Sequence, residues 1–488
     1  MLSTQEIKKF IEEDITSPKK KKAAEGQRYY EAEHDILNSR LFYFDAQGNL
    51  QEDKIRSNIK ISHPFFKILI DELSPYMLSF EQHPIKAKET AIGLQELLDE
   101  YFDDDFWAEI GDLIDGAGIK GFEYLYAYKN EDNRLSFECA DAMGVVDVQG
   151  RYTKDKQDYK IYHYLDSDLS QKGKIQVRRI QVWSKNETYY YIQDNLNGEI
   201  VKDDSVANNP RPHVIYKDEK TGEKSGSSLG FIPFWRLDNN KKQFSSLKPV
   251  KALIDDYDLH SSSLSNNLKD FDIPLYVVKG FEGDNLDELS QNLRTKKTIG
   301  IPDSGGGVDI KTVDIPYQAR KERLEIDEKN IYLFGFGFNP SQVGDGSITN
   351  IVIKSRYTLL DLRAEKLEKR LKKLLKQIVK VVIDEINAEH GTCYQYSDVK
   401  IERFERNTPA NDSENIASAK VEAETEQIRI NTILNVAMII GDDEALRLIC
   451  EELDLNFDAL KSQVEKLKEE QNLNDAQNVL YNVVVEDE

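Results

Sequence analysis

Apolar residues in the first quarter of the chain recur every three or four positions, the spacing of one face of an α-helix. Ile7, Phe10 and Ile11 predict a helix over residues 3–15, and a short helix is predicted at 29–37. Later helices before Gly118 carry the same spacing at Phe66, Leu69, Ile70, Leu73, Leu94, Leu97, Leu98, Phe102, Phe106, Ile110, Leu113 and Ile114. This part of the chain is therefore expected to be mainly helical.

Beyond Gly121 the apolar positions alternate, which is the spacing of a half-buried β-strand. The alternating residues are Phe122, Tyr124, Tyr126 and Tyr128, followed after a turn by Leu135, Phe137 and Cys139. Similar runs predict that residues 119–216 form mostly antiparallel sheet. The tyrosines could stack on bases, but basic residues do not interleave with them, which favours packing across strands. Residues 217–229 are rich in Lys, Glu, Gly and Ser and are predicted to be a loop.

Two helices of the second half have clear start and stop signals. The first is predicted from about Leu247 to Leu268, with Ser246 as its cap and Pro249 in its first turn. Its apolar face is formed by Val250, Leu253, Ile254 and Tyr257, and its polar side is expected to carry Asp255, Asp256 and Asp258. The second helix opens at Pro316 and stops before residues 335–340, because two glycines and a proline disfavour helix.

A third helix is much longer and runs from Thr349 to about Glu389. At 1.5 Å per residue it would be about 60 Å long. Its apolar positions are Leu360, Leu367, Leu371, Leu374, Ile378, Val381 and Ile386, and its outer face carries Lys366, Lys369, Arg370, Lys372, Lys373, Lys376 and Lys380. The narrow apolar seam would also suit a coiled-coil scaffold. A strand pair is predicted around residues 394–404, followed by helices at 412–440, 442–453 and 457–471.

Composition narrows the class of protein. The chain has 488 residues, enough for about three domains, and 39% of them are hydrophobic, so packed cores can form. No apolar run approaches the roughly 18 residues of a membrane span, and the first residues lack an apolar signal core, so no membrane partner is expected. The three cysteines suit reduced, buried thiols. A net charge of −23 disfavours tight DNA binding by the whole surface.

Few residues in the sequence suggest a metal-binding, nucleic-acid-binding or catalytic site. The Asp103–Asp105 run could bind a divalent cation, but adjacent carboxylates diverge on a helix, and capping of the helix start is favoured. The Lys19–Lys22 run could contact nucleic acid or act as a targeting signal, although a solvated linker is favoured. Phosphate-binding glycine motifs and His-Glu-x-x-His or Cys-x-x-Cys spacings are absent from the sequence. A metal-dependent nuclease acting through clustered carboxylates stays the alternative function, and no cofactor is expected.

Three blocks of sequence together carry a family resemblance. They are Tyr29-Tyr30 with His34 and Leu37, then residues 58–85 ending in Pro84-Ile85, and then Gly-Phe-Ile-Pro-Phe-Trp-Arg-Leu-Asp-Asn-Asn at 230–240 leading into a helix. In their order and content these blocks resemble the portal proteins of tailed double-stranded-DNA bacteriophages, of the siphophage type.

The resemblance implies an α+β portal fold. Its parts would be an N-terminal arm at 1–28, a wing at 29–240, a first stem helix at 241–271, a clip at 272–315, a second stem helix at 316–336, a tunnel loop at 337–350, a long wing helix with a strand pair at 351–411, and a helical crown with an acidic tail at 412–488. Within the clip, strands are expected at 275–278 and 297–301, with a short helix near 286–293.

The resemblance also implies a function without enzymatic activity. About twelve copies would form a ring at one capsid vertex, assembled in the host cytoplasm and kept in the virion. Double-stranded DNA would pass through the ring, the large terminase would dock on the clip and supply ATP hydrolysis, and head–tail adaptor, major capsid and scaffolding proteins would be further partners. The implied tunnel-loop residues are Gln342, Val343, Asp345, Ser347, Ile348 and Asn350, and the implied stem residues are Asp255, Asp256 and Asp258.

Overall fold

The structure is a computed structural model. It describes residues 1–54, 56–129, 134–168, 175–194, 198–217, 224–271, 275–279, 307–311, 316–339, 350–406 and 441–452, with isolated positions between 420 and 461. The chain divides into two compact units, one formed by residues 1–342 with 356–408 and the other by 343–355 with 409–488. Helices and antiparallel sheets occur together in the first unit, which confirms the α+β prediction.

The helices are numbered along the chain. They are α1 (Thr4–Ile15), α2 (Pro18–Tyr30), α3 (Phe65–Asp71), α4 (Leu73–Met77), α5 (Leu94–Tyr101), α6 (Asp104–Lys120), α7 (Lys251–Phe271), α8 (Tyr317–Gly335), α9 (Asn350–His390) and α10 (Asp442–Glu452). Short 3-10 helices occupy Asp35–Asn38, Gly150–Tyr152 and Tyr396–Asp398.

The strands form small antiparallel sheets. They are β1 (Phe42–Phe44), β2 (Leu50–Glu52), β3 (Ile85–Ala87), β4 (Phe122–Lys129), β5 (Leu135–Ala140), β6 (Val145–Val148), β7 (Tyr159–Asp168), β8 (Ile175–Trp183), β9 (Glu187–Asp194), β10 (Ile200–Lys202), β11 (Arg211–Pro212), β12 (Val214–Lys217), β13 (Lys224–Ser227), β14 (Phe234–Asp238), β15 (Leu275–Lys279), β16 (Gly307–Lys311) and β17 (Val399–Ile401). The largest sheet has the order β10-β9-β8-β7-β6, with β11 also paired to β9. A second sheet has the order β14-β4-β5.

The N-terminal helices show why the lysine run is not a linker. Ser17 caps α2, and Pro18 occupies its first position, where a missing N–H costs nothing. Lys20 is buried, and its Nζ atom donates to the carbonyl oxygens of Ala142 and Val145 and pairs with Asp14 at 2.8 Å. The prediction of a solvated linker was therefore wrong, because this part of α2 packs against the segment that carries Ala142 and Val145.

The long helix α9 is part of the main core of the first unit. Its buried residues include Leu360, Leu367, Leu371 and Ile378, which pack with residues of α4, α5 and α6. Ala364, Leu375, Val379, Val382 and Ile383 are buried as well, so the apolar face is wider than the seam read from the sequence. A face this wide belongs to a helix packed on several elements rather than to a two-stranded coiled coil.

Other predictions need correction. Ile85–Ala87 (β3) is the partner of Val399–Ile401 (β17), so the expected local strand pair at 394–404 does not form. Part of the expected loop at 217–229 is a strand, since Lys224–Ser227 (β13) pairs with β12. The helix predicted from about Leu247 begins at Lys251, after turns at 246–250. Cys393 is exposed, whereas Cys450 is buried.

Several expectations fall outside the described residues. In the predicted clip, Leu275–Lys279 forms the expected first strand, but it pairs with Gly307–Lys311, and the expected strand at 297–301 and helix at 286–293 are outside the described residues. In the second unit α10 matches the helix predicted at 442–453, and most of the other two predicted helices lies outside. The proposed domain boundaries stay predictions.

Candidate functional site

The helices α7 and α8 form an antiparallel pair in the first unit. Val250, just before α7, and Ile254, in its first turn, lie in one core with Ile331 and Tyr332, near the end of α8. Farther along, the Arg323 guanidinium donates to the Asp256 carboxylate at 2.9 Å. The two helices were predicted from the sequence, and their role as stem helices stays a prediction.

Asp258, expected on the polar side of the stem helix, is instead fully buried. Its carboxylate accepts hydrogen bonds from His34 Nδ1 at 2.5 Å, from His63 Nδ1 at 2.8 Å and from the His63 backbone N–H at 2.9 Å. Burial acts to raise the pKa of Asp258, but the hydrogen bonds from the two histidines outweigh it and hold the pKa below its usual range. Asp258 therefore fastens the helix to two earlier segments of the same chain.

Asp258 is the first step of a hydrogen-bonded ladder along α7. The backbone N–H groups of His63, Ile61, Ile59 and Ser57, every second residue of an extended segment, donate in turn to Asp258, Ser262, Asn266 and Asp270, every fourth residue of the helix. The two repeats match because two extended residues span about 6.6 Å and four helical residues rise about 6 Å. We call this arrangement the α7 ladder. The sequence analysis did not predict the α7 ladder, although a short polar residue at every fourth position from 258 to 270 was a signal for it.

The other two predicted stem aspartates also have partners within the subunit. Asp255 accepts from the Lys251 ammonium at 2.8 Å and from the Tyr29 hydroxyl. Asp256 faces the buried Asp327 across the helix pair, with Arg323 Nε 3.2 Å from Asp327 Oδ2. Burial, with the neighbouring Asp256 carboxyl, raises the pKa of Asp327. Asp256 thus lies at a contact between the two helices, and Asp255 and Asp258 contact earlier segments of the same chain.

The segment that follows α8 is anchored on α3 and the residue after it. Phe336 takes a left-handed conformation with φ 58°, and the Gly337 N–H donates to the Tyr332 carbonyl at 3.0 Å. A Cβ atom on Gly337 would lie 2.3 Å from Leu69 Cδ2. The Phe338 N–H donates to both oxygens of the Glu72 carboxylate at 3.1 Å. The helix ends at Gly335, which confirms the predicted stop. The backbone after it is held against Leu69 and Glu72 as far as Phe338.

The predicted tunnel-loop residues lie almost entirely outside the described residues. Gln342, Val343, Asp345, Ser347 and Ile348 belong to that group, and Asn350 is the first residue of α9. Their role stays a prediction. On α9 itself, Lys366, Lys369, Lys373, Lys376 and Lys380 are exposed, as predicted. Two of the basic residues also cover aromatic rings, with Lys372 Nζ 5.7 Å from the Phe404 ring and Lys380 Nζ 5.1 Å from the Tyr396 ring.

The surface of the helix pair carries apolar side chains. Ile326, Leu333 and Phe334 of α8 are about half exposed, although Ile331 and Tyr332 on the same helix are buried. On α7, Leu259 and Leu268 are also exposed. A helix that is apolar both toward its own subunit and toward solvent suits a second packing partner.

Two further properties bear on function. Among the described residues, groups of three or more His, Cys, Asp or Glu side chains that could hold a metal ion do not occur. Asp103 caps α6 by accepting from the Phe106 N–H at 3.0 Å, which is the role favoured for it above. The helices within the described ranges include none that is long and apolar enough to cross a membrane.

Comparison with known proteins identifies the family. The model of the phage portal proteins, SPP1 Gp6-like, matches residues 10–475. The portal protein of Bacillus phage SPP1 is 28% identical over 372 residues, which cover 75% of this chain and 69% of that protein. The portal protein of Clostridium phage phiCD119 is 24% identical over 405 residues, which cover 78% of this chain and 82% of that protein. Because the family match spans nearly the whole chain, this protein belongs to the SPP1 Gp6-like family of phage portal proteins.

Proposed function

We propose that about twelve copies of this chain form a closed ring at one vertex of a phage capsid, and that double-stranded DNA passes through its bore during packaging and ejection. In this proposal α7 and α8 are the stem helices, β15 and β16 belong to the clip, and residues 337–350 form the tunnel loop. Assembly takes place in the host cytoplasm, and the ring stays in the virion. Membership of the portal family supports the proposal.

The observation that best supports a ring is that α8 has apolar side chains on two sides. Ile331 and Tyr332 bury one side of the helix within the subunit, and Ile326 and Leu333 stand exposed on another. Burial of such a side chain from full exposure gains about 1.5–3 kcal/mol, so each of these half-exposed residues gains about half of that. In a ring each subunit has the same two neighbours, so one exposed stripe per subunit is covered all the way round.

The charge of the chain suits a channel through which DNA slides. Each subunit carries a net charge of −23. A bore that held phosphates through many lysines and arginines would have to break those contacts at every step, because such contacts dominate DNA affinity. The tunnel-loop segment 341–350 contains no lysine or arginine. We therefore propose that Gln342, Val343, Asp345, Ser347, Ile348 and Asn350 restrain DNA sterically.

The partners proposed for the ring follow from the family. The large terminase would dock on the clip and hydrolyse ATP, and a head–tail adaptor protein would occupy the same end afterwards. Major capsid and scaffolding proteins would surround the ring at the vertex. The alternative, a metal-dependent nuclease, gains no support from the described residues, which contain no three-residue metal cluster.

The tunnel-loop assignment is tested by a packaging assay with purified components. Val343→Ser and Ile348→Ser should form normal rings but package DNA more slowly or incompletely, because the loop loses bulk where the DNA passes. The matched control is Ile92→Ser, which removes an equally apolar and strongly exposed side chain from the wing. Loop variants that package like the Ile92→Ser control would remove the assignment.

A further inference from the structure

Two residues that flank most of the predicted tunnel loop meet at one aromatic stack. Phe338 follows α8, Tyr357 lies near the start of α9, and residues 339–356 lie between them. The two aromatic rings are 4.8 Å apart and 17° from parallel. Tyr357 also stacks on Tyr76 of α4, at 5.8 Å and 24°. Stacked aromatic pairs at such distances stabilise each other beyond the apolar area that they bury. We call Phe338, Tyr357 and Tyr76 the loop clamp.

Phe338 is held by its backbone as well as by its aromatic ring. Its N–H donates to both oxygens of the Glu72 carboxylate at 3.1 Å. Burial raises the pKa of Glu72, and the hydrogen bond from Phe338 and the positive charge of Arg363 act against that rise. Arg363, on α9, donates to the Leu69 carbonyl at 2.8 Å. The chain that leaves α8 and the helix α9 are thus fastened to the same short segment, residues 69–72.

Tyr76, the innermost member of the loop clamp, is fixed by polar contacts. It is buried in the main core of the first unit, and its hydroxyl donates to Asp361 Oδ1 at 3.3 Å. The Arg406 guanidinium lies 5.9 Å from its aromatic ring and also pairs with Asp361 and Glu368 of α9. The stack therefore rests on side chains that cannot move without disturbing this core.

We propose that the loop clamp is the fixed base of the tunnel loop, and that Phe338 and Tyr357 are positioning residues for it. Because the stack holds these two residues face to face, the segment between them can change its shape only beyond the stack. In an assembled ring every subunit would then present its loop from the same point. This inference rests on the proposed function and names the residues that set the position of the loop.

The first test is a double-mutant cycle read by hydrogen exchange on the purified protein. Phe338→Leu and Tyr357→Leu each remove one aromatic ring from the stack. Peptides over residues 356–361 should exchange about two- to tenfold faster in Phe338→Leu, and peptides over 336–339 should do so in Tyr357→Leu. The double variant should open little more than either single variant, because the shared contact is already lost.

Two controls accompany the cycle. Tyr357→Phe keeps the stack and should exchange like the wild type. Tyr128→Leu removes a half-buried tyrosine that packs on Tyr126 in β4, and it should leave exchange at both ends of the loop unchanged. Exchange over 356–361 that is the same in Phe338→Leu and in the wild type would overturn the proposal.

The second test measures packaging by assembled rings of these variants. Tyr357→Leu should form rings of normal mass but lose packaging rate, and Tyr357→Phe and Tyr128→Leu should package like the wild type. Tyr357→Leu rings that package like Tyr128→Leu rings would overturn the positioning role and leave the proposed function standing. Wild-type protein that forms no rings, or rings that package no DNA, would refute the proposed function itself, and with it the positioning role of the loop clamp.

Discussion

Replacing Asp258 by alanine should detach the extended segment 57–63 from α7. The carboxylate is fully buried and accepts from three donors, which are His34 Nδ1, His63 Nδ1 and the His63 backbone N–H. His34 is buried as well, and its Nε2 atom faces the Tyr29 carbonyl at 3.2 Å. Both ring nitrogens of His34 thus lie beside oxygen atoms of the same subunit.

The size of the effect follows from these contacts. A buried donor left without a partner costs about 1–3 kcal/mol, and removal of one member of a buried ion pair costs about 3–5 kcal/mol. We expect Asp258→Ala to lower the free energy of local opening by about 3 kcal/mol, which is about a hundredfold in the opening constant. Asp270→Ala removes the last and exposed step of the same ladder, so it should cost about 1 kcal/mol or less.

Hydrogen exchange read by mass spectrometry measures this opening locally, so ring assembly does not obscure it. Peptides that cover Ile59–His63 should exchange about a hundredfold faster in Asp258→Ala, and peptides from β4 should not change. Because the pKa of Asp258 is lowered in the folded protein, its contribution is fully present above the usual carboxyl range and is lost as the pH falls through the lowered pKa. Equal exchange at Ile59–His63 in Asp258→Ala and Asp270→Ala would refute the ladder as a stabilising element.

Three further predictions concern buried positions of the first unit. Lys20→Ala should lower the free energy of unfolding, measured by chemical denaturation, by about 3–5 kcal/mol, because it leaves buried carbonyls and Asp14 without their cation. Replacement of the exposed Lys21 by alanine should lower it by less than about 0.5 kcal/mol, and equal effects of the two changes would contradict the account. Gly26→Ala should greatly reduce the yield of folded protein, because its Cβ would lie 2.0 Å from the Ile119 carbonyl oxygen in the backbone of α6; a normal yield and melting temperature would contradict this. Burial raises the pKa of Asp115 to about 6, so its stabilising contribution is lost as the pH rises through that value. At pH 8, Asp115→Asn should therefore have a free energy of unfolding about 2 kcal/mol higher than the wild type. No gain in melting temperature at that pH would contradict this.

Local spacing is why the elements could be predicted from the sequence. Apolar residues at i, i+3 and i+4 define α6 and α9 without reference to distant parts of the chain, and alternation defines β4 and β7 in the same way. The three blocks that resemble portal proteins then placed these elements in order, and the family match over residues 10–475 confirms that identification.

Long-range pairing is what the sequence could not supply. Val399–Ile401 finds its partner more than 300 residues earlier, at Ile85–Ala87, and nothing in either short run specifies the other. The local sequence does not distinguish Lys20 from the three lysines beside it. It differs only because the folded chain places the carbonyls of Ala142 and Val145 next to its ammonium group. Asp258 likewise has the composition of a polar helix face, and its burial depends on histidines about 200 residues away.

The most direct test of the portal account is the assembly state of the purified protein. Electron microscopy of single particles, averaged in top view, should show closed rings of about twelve subunits around an open channel, and native mass spectrometry should give the matching multiple of 56.2 kDa. A monomer or dimer that persists at every accessible protein and salt concentration would contradict the account.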